Sequence, residues 1–107
     1  MELNEYQETL KNYESYQNEL GPYYLILGAY SEIGKLSDKL RVLLDEARDF
    51  NERDKRNLSL SIADIMFYLL SIANSINVSY EEIASIGLRK LSLIKEQKIK
   101  ENMKAGS

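Results

Sequence analysis

Cysteine, histidine and tryptophan are all absent from this sequence of 107 residues. Without Cys or His there is no zinc finger, no disulfide scaffold, no Cys–His nucleophile pair, and no haem or iron–sulfur ligation by the usual ligands. A resident metal would have to be a hard, oxygen-ligated cation. Acid–base chemistry would fall to Asp, Glu, Lys or Tyr. One proline and five glycines leave little material for a turn-rich β fold. No apolar run approaches the roughly 20 residues needed to span a bilayer. The first ten residues, MELNEYQETL, are acidic and polar, unlike a secretory signal. The expectation is therefore a cytoplasmic protein with no membrane partner. The length suits one domain, residues 1–107, with a modest core that oligomerisation would help to complete.

Charge is unevenly spread. The net charge of −3 argues against nucleic acid as the partner. Residues 1–31 carry five acids and one base, and residues 58–86 carry three acids and no base. Residues 87–107 reverse this with six bases and two acids. Such a basic segment either pairs with an acidic helix or meets a phosphate.

What the sequence does contain is helical periodicity. Leu3, Tyr6, Leu10, Tyr13 and Leu20 form one stripe over an N-terminal helix in residues 1–20, and Gly21-Pro22 breaks it, with Pro22 placed to open the next helix. Ala29, Ile33, Leu36, Leu40, Leu43, Ala47 and Phe50 follow at alternating steps of four and three, the seam of a bundle helix. NERDKR (51–56) has no apolar anchor and reads as a charged loop. A third helix is expected from about Leu58 to Ile76, with Ile62, Ile65, Leu69, Ile72 and Ile76 inward. Asn77-Val78 ends it, and Ser79 with Glu82 reads as a capping box for a fourth helix carrying Ile83, Ile86, Leu91 and Ile94. The core spans about residues 20–99, and residues 100–107 read as a polar tail. Leu25, Ile26 and Leu27 are consecutive, and Ile65, Met66, Phe67, Leu69 and Leu70 nearly encircle the third helix. Helices apolar on several sides want neighbours on several sides, so a dimer or tetramer formed through the central helices is expected.

Two helices also carry the residues with chemical interest. Ser31-Glu32-Ile33-Gly34-Lys35-Leu36 is followed, after a charged stretch, by Ser61-Ile62-Ala63-Asp64-Ile65-Met66-Phe67-Tyr68. The pair resembles the MazG-like all-α nucleoside triphosphate pyrophosphohydrolases, a superfamily that also includes dimeric dUTPases and phosphoribosyl-ATP pyrophosphatases. Its pattern is G-E-x-G-E-L on one helix and E-L-x-D-V-L-x-Y on the next. Asn77-Val78-Ser79-Tyr80-Glu81-Glu82-Ile83 and Gly87-Leu88-Arg89-Lys90-Leu91 are similar to two later segments of that family, and Ile94 to Asn102 to the tail of its phage members. The resemblance runs from about Leu20 to Ile99. It implies a four-helix MazG-like bundle.

The departures matter as much. Two carboxylate pairs at i, i+3 hold Mg²⁺ against a triphosphate in such enzymes. Here the first pair is Glu32 with Lys35, and the second is Ser61 with Asp64. Four carboxylates become two, and a lysine enters the metal layer, where it repels Mg²⁺ and offers an ammonium to phosphate. Losing one electrostatic contributor of this kind typically costs about 10²- to 10³-fold in rate. The resemblance thus implies a pseudoenzyme with no catalytic residues and no cofactor. It would bind and sequester a nucleotide or nucleotide-derived signal through Glu32, Lys35, Lys39, Arg41, Ser61, Asp64, Tyr68, Arg89 and Lys90, with Glu32 and Asp64 the residual metal candidates. A phage origin would make it a counter-defence sponge in the host cytoplasm. Each residue also has a plainer reading: Lys35 paired with Glu32 or Asp38, Lys39, Arg41, Arg89 and Lys90 on solvated faces, and Tyr68 in the core. Two alternatives stay open: a protein-interaction module using its tyrosine-rich N-terminal third, and a residual Mg-dependent pyrophosphohydrolase.

Overall fold

The computed structural model describes residues 1–13 and 21–106, and Leu20 of the expected first stripe lies outside the described residues. All regular structure among the described residues is helical. The elements are α1 (Leu3–Leu10), a 3₁₀ turn (Lys11–Tyr13), α2 (Gly21–Glu46), α3 (Glu52–Ser75) and α4 (Tyr80–Ala105).

Each boundary has a local cause. Pro22 sits in the first turn of α2, where its missing N–H costs nothing. Ala47 ends α2 in the left-handed region, φ 50°, with its N–H donating to the Leu44 carbonyl at 3.0 Å. The helix therefore stops before Phe50. The expected loop at 51–56 is also corrected, because α3 starts at Glu52. Asn51 and Asp54 form a reciprocal capping box: the Asp54 N–H donates to the Asn51 side chain at 2.9 Å, and the Asn51 N–H to the Asp54 carboxylate at 3.0 Å. At the other end, Asn77 (φ 57°) donates to the Asn74 carbonyl at 3.2 Å and Val78 to the Ala73 carbonyl at 3.1 Å, a Schellman closure around a residue that tolerates positive φ. The Ser79 hydroxyl then accepts from the Glu82 N–H at 3.1 Å and opens α4.

α2 and α3 form a long antiparallel hairpin. Leu25, Ala29 and Leu43 of α2 and Ser61 and Ser71 of α3 are buried. Gly28 lets Tyr68 in so closely that a Cβ there would lie 2.7 Å from its Cδ1 and Cζ and nearer still to Cε1. The Tyr68 ring meets Phe67 edge-on, centroids 5.4 Å apart.

A second, smaller core lies where α1 meets the α3–α4 turn. Leu10, Ala73 and Tyr80 are buried there, with Tyr6, Phe67 and Leu70 around them. Burying a side chain such as Leu10 stabilises by roughly 1.5–3 kcal/mol. Gln7 locks this corner: its amide donates to the Val78 carbonyl at 2.9 Å and accepts from the Tyr80 N–H at 2.9 Å. Asn74 donates to the Gln7 carbonyl at 3.3 Å.

α4 behaves differently. Its main packing partner is α1, and every residue from Glu81 to Gly106 is exposed. A four-helix bundle is thus not closed inside one chain. The radius of gyration, 18.4 Å, exceeds the roughly 13 Å of a compact domain this size. Of the expected inward residues, Ile62, Leu69 and Ile76 on α3, and Ile33 and Leu40 on α2, are exposed. One further correction concerns α3: it is long and apolar enough, with a window of mean hydropathy 1.4, to cross a bilayer by length and composition. Its packing on α2 and α1 buries only 17% of that window.

Candidate functional site

The antiparallel register of α2 and α3 is set by two cross-helix contacts, Gly28 with Tyr68 and Lys39 with Ser61. Between those levels, Glu32 and Lys35 of α2 come opposite the Asp64 turn of α3. The central six of the candidate residues thus share one stretch of the hairpin.

Their partners are specific. Lys39 donates its ammonium to the Ser61 hydroxyl at 2.6 Å, and Ser61 is 3% exposed. Lys35 lies 3.2 Å from the half-buried Glu32 carboxylate, its partner one turn earlier. Arg41 faces Asp38 at 3.9 Å, both well exposed, a geometry worth little in water. Asp64 is exposed, and Tyr68 is half-buried against Gly28. Arg89 and Lys90 stand on the exposed part of α4, whose main contact is α1. The chain alone does not bring those two to the hairpin centre.

Among the described residues, no three Asp or Glu side chains converge in a way that would hold a metal ion. Glu32 already has an ammonium beside it, and Ser61 points its oxygen at a second one. The donor set at this level suits anionic oxygen better than a divalent cation.

Toward the α2–α3 loop the same side of the hairpin opens into a cleft of about 410 Å³. Lys39, Val42, Glu46, Arg48, Asp54 and Asn57 line it. Arg48 organises its rim. The guanidinium binds the Asp54 carboxylate through two nitrogens, one at 3.1 Å and one shorter, and its Nε donates to Glu46 at 2.6 Å. The Arg48 hydrogen bond, followed by the Asn51 N–H, holds the Asp54 carboxyl below its ordinary pKa, and the same pairing pushes the guanidinium further up. Sequence reasoning missed Arg48 and Asp54. Their signal was present in Asn51-x-x-Asp54, a capping-box spacing with Asp in place of Glu, inside a run of charges that otherwise reads as solvated.

Compared with protein-family models, with curated proteins and with solved structures, the chain matches none.

Proposed function

We propose that this protein binds a phosphate-bearing, nucleotide-derived small molecule on the hairpin side that carries Lys35, Lys39 and Asp64, and holds it without metal and without hydrolysis. The observation that carries the reading is Lys39. Its ammonium is anchored across the helix pair by a neutral hydroxyl, at the edge of an open cleft, with further donors to spare. In the enzymes that the motifs resemble, the Ser61 position holds a carboxylate and the ion beside it is a divalent cation. Here a fixed cation is already covalently part of the chain, so a phosphate meets it directly. Arg41, Arg89 and Lys90 join as long-range basic groups, the last two from α4 of a neighbouring copy in a homo-oligomer. Tyr68 supports the wall through its packing on Gly28. On this reading the protein acts in the cytoplasm as a sequestering pseudoenzyme, and a phage counter-defence sponge is the biological setting that the tail resemblance suggests.

Calorimetry against mono-, di- and cyclic nucleotides in EDTA tests this. One member should bind with EDTA present, and Lys39→Met should weaken it by about 10-fold or more, the worth of a charge-assisted hydrogen bond. Binding that requires Mg²⁺, together with pyrophosphate release, would establish the residual hydrolase instead. No binding at all would leave the protein-interaction module, which the exposed Tyr13, Tyr23, Tyr24 and Tyr30 favour.

A further inference from the structure

The cleft beside the α2–α3 loop has two unlike ends and an apolar floor between them. On α2 the ends are Lys39 and Glu46, and on α3 they lie level with Ser61 and Asp54. Each pair is seven residues apart, two helical turns and a rise of roughly 10 Å. Val42, Leu43 and Leu58 stand between the ends and form the floor. The volume of about 410 Å³ falls within the range of small-molecule sites, roughly 300–1,000 Å³.

The loop end is rich in acceptors and poor in donors. Glu46 places one carboxylate oxygen on Arg48 Nε at 2.6 Å and keeps lone pairs to spare on both oxygens. Arg48 has little left to give. Four of its five N–H groups are taken, one by Glu46, two by Asp54 and one by the Asp49 carbonyl. The same clamp fixes Glu46, because a guanidinium held by two bonds to Asp54 does not swing away with it. Beside them Asn57 brings an amide, with both donors and an acceptor.

A flat group lying on Val42 and Leu58 meets this wall edge-on. The edge that suits a fixed carboxylate has two adjacent N–H donors, and the edge that suits the neighbouring amide has an acceptor next to them. Guanine has both, in N1–H with the 2-amino group and in O6. Adenine and cytosine place a ring acceptor next to their amino group. Uracil has one ring N–H between two carbonyls, and hypoxanthine lacks the amino group. We propose that this cleft takes the guanine base of a guanine nucleotide, with Glu46 accepting from N1–H and the 2-amino group and the phosphate at Lys39. The proposal rests on the reading of Lys39 as the phosphate contact and adds the base that accompanies it. Two helical turns match the reach from the 5′-phosphate to the outer edge of the base in an extended guanosine monophosphate. Asp38 lines the Lys39 end, only 3.9 Å from Arg41, and has acceptor capacity left for the ribose hydroxyls.

The test is titration calorimetry on the full chain in EDTA with GMP and IMP, which differ only in the 2-amino group. A site built to accept from that group is left with an unpaired acceptor when it is missing. GMP should therefore bind about 10-fold tighter or more, the discrimination of one bidentate base contact. Glu46→Gln keeps an oxygen for Arg48 and replaces the other by a donor, so it should bring the GMP-to-IMP ratio near one. Lys39→Met should weaken both ligands alike and leave the ratio as it was. The wild-type comparison needs no variant, so it does not depend on how Glu46→Gln folds. Equal affinity for GMP and IMP, a ratio that survives Glu46→Gln, or AMP binding tighter than GMP overturns the guanine assignment and leaves the phosphate reading standing. So does binding of another nucleotide when GMP does not bind. If no nucleotide binds, both readings fall.

Discussion

Replacing Gly28 by alanine asks how tightly the hairpin is set. In an exposed helix the change would stabilise by about 1 kcal/mol, because glycine has more backbone freedom to lose. Here the new methyl carbon would lie 2.7 Å from Tyr68 Cδ1 and Cζ and closer to Cε1. A rigid ring backed by Phe67 must then move, and overpacking of this kind costs about 1–3 kcal/mol. The balance predicts a net loss near 1 kcal/mol, or roughly 4–8 °C in Tm for a domain this size. The decisive comparison is the same substitution in a Tyr68→Ala background. With the ring gone the steric cost disappears, and Gly28→Ala should raise Tm by several degrees. The sign change is the measurement, and the cycle should show a coupling of about 1–3 kcal/mol. Thermal melts followed by circular dichroism at one fixed protein concentration suffice, since assembly makes Tm depend on concentration. If Gly28→Ala raises Tm equally in both backgrounds, Tyr68 does not occupy the space beside Gly28, and the register that aligns Glu32 and Lys35 with Asp64 loses its anchor.

Three other outcomes follow from the geometry. Asn51→Ala removes one arm of the capping box and should cost about 1 kcal/mol in urea unfolding, with Asn51→Gly milder. Asp54 has a folded pKa below its unfolded value, so the stability it contributes is full above the ordinary carboxylate range and is lost as pH falls through the folded value; the urea midpoint should drop below about pH 4, and Asp54→Asn should flatten that drop, whereas an unchanged slope would contradict the Arg48 pairing. Ala47→Gly relieves a left-handed backbone and should stabilise by about 0.5 kcal/mol, and Asn77→Ala should do the reverse at the end of α3.

The all-helical class was legible because a 3.6-residue rhythm runs through nearly the whole chain. The ends were less so. α2 closes at Ala47 without the glycine that normally marks such a closure, so the rhythm seemed to continue to Phe50. α3 opens inside NERDKR, where the capping arm is an aspartate and no apolar residue marks the first turn. The inward face was not legible, because α2 carries two interleaved seams, one through Leu25, Ala29, Leu36 and Leu43 and one through Ile26, Ile33 and Leu40. Periodicity gives both the same weight, and only contact with α3 separates them. The Lys39–Ser61 bond joins residues 22 apart in sequence and depends on register, which no local pattern encodes.

That bond also ranks the basic groups. Lys35 already faces a carboxylate, so an incoming phosphate must compete with Glu32 for it, and moving the ammonium away exposes a half-buried negative charge. Lys39 is held by a hydroxyl that brings no countercharge, so its full positive charge stays available while its position is fixed. Pre-positioned donors lose less freedom when they bind, and their partner is not displaced. An anion on this side of the hairpin should therefore depend more on Lys39 than on Lys35. Charge reversal at Lys35 would act in two ways, by removing one ammonium and by adding a carboxylate beside Glu32. The two acids would then stand with Asp64 at one level of the hairpin, an arrangement that repels phosphate and attracts a divalent cation. On the proposed reading, the charge of the side chain at position 35 sets the balance between phosphate and a divalent cation on this side of the hairpin, and Ser61 sets whether Lys39 stays where it is.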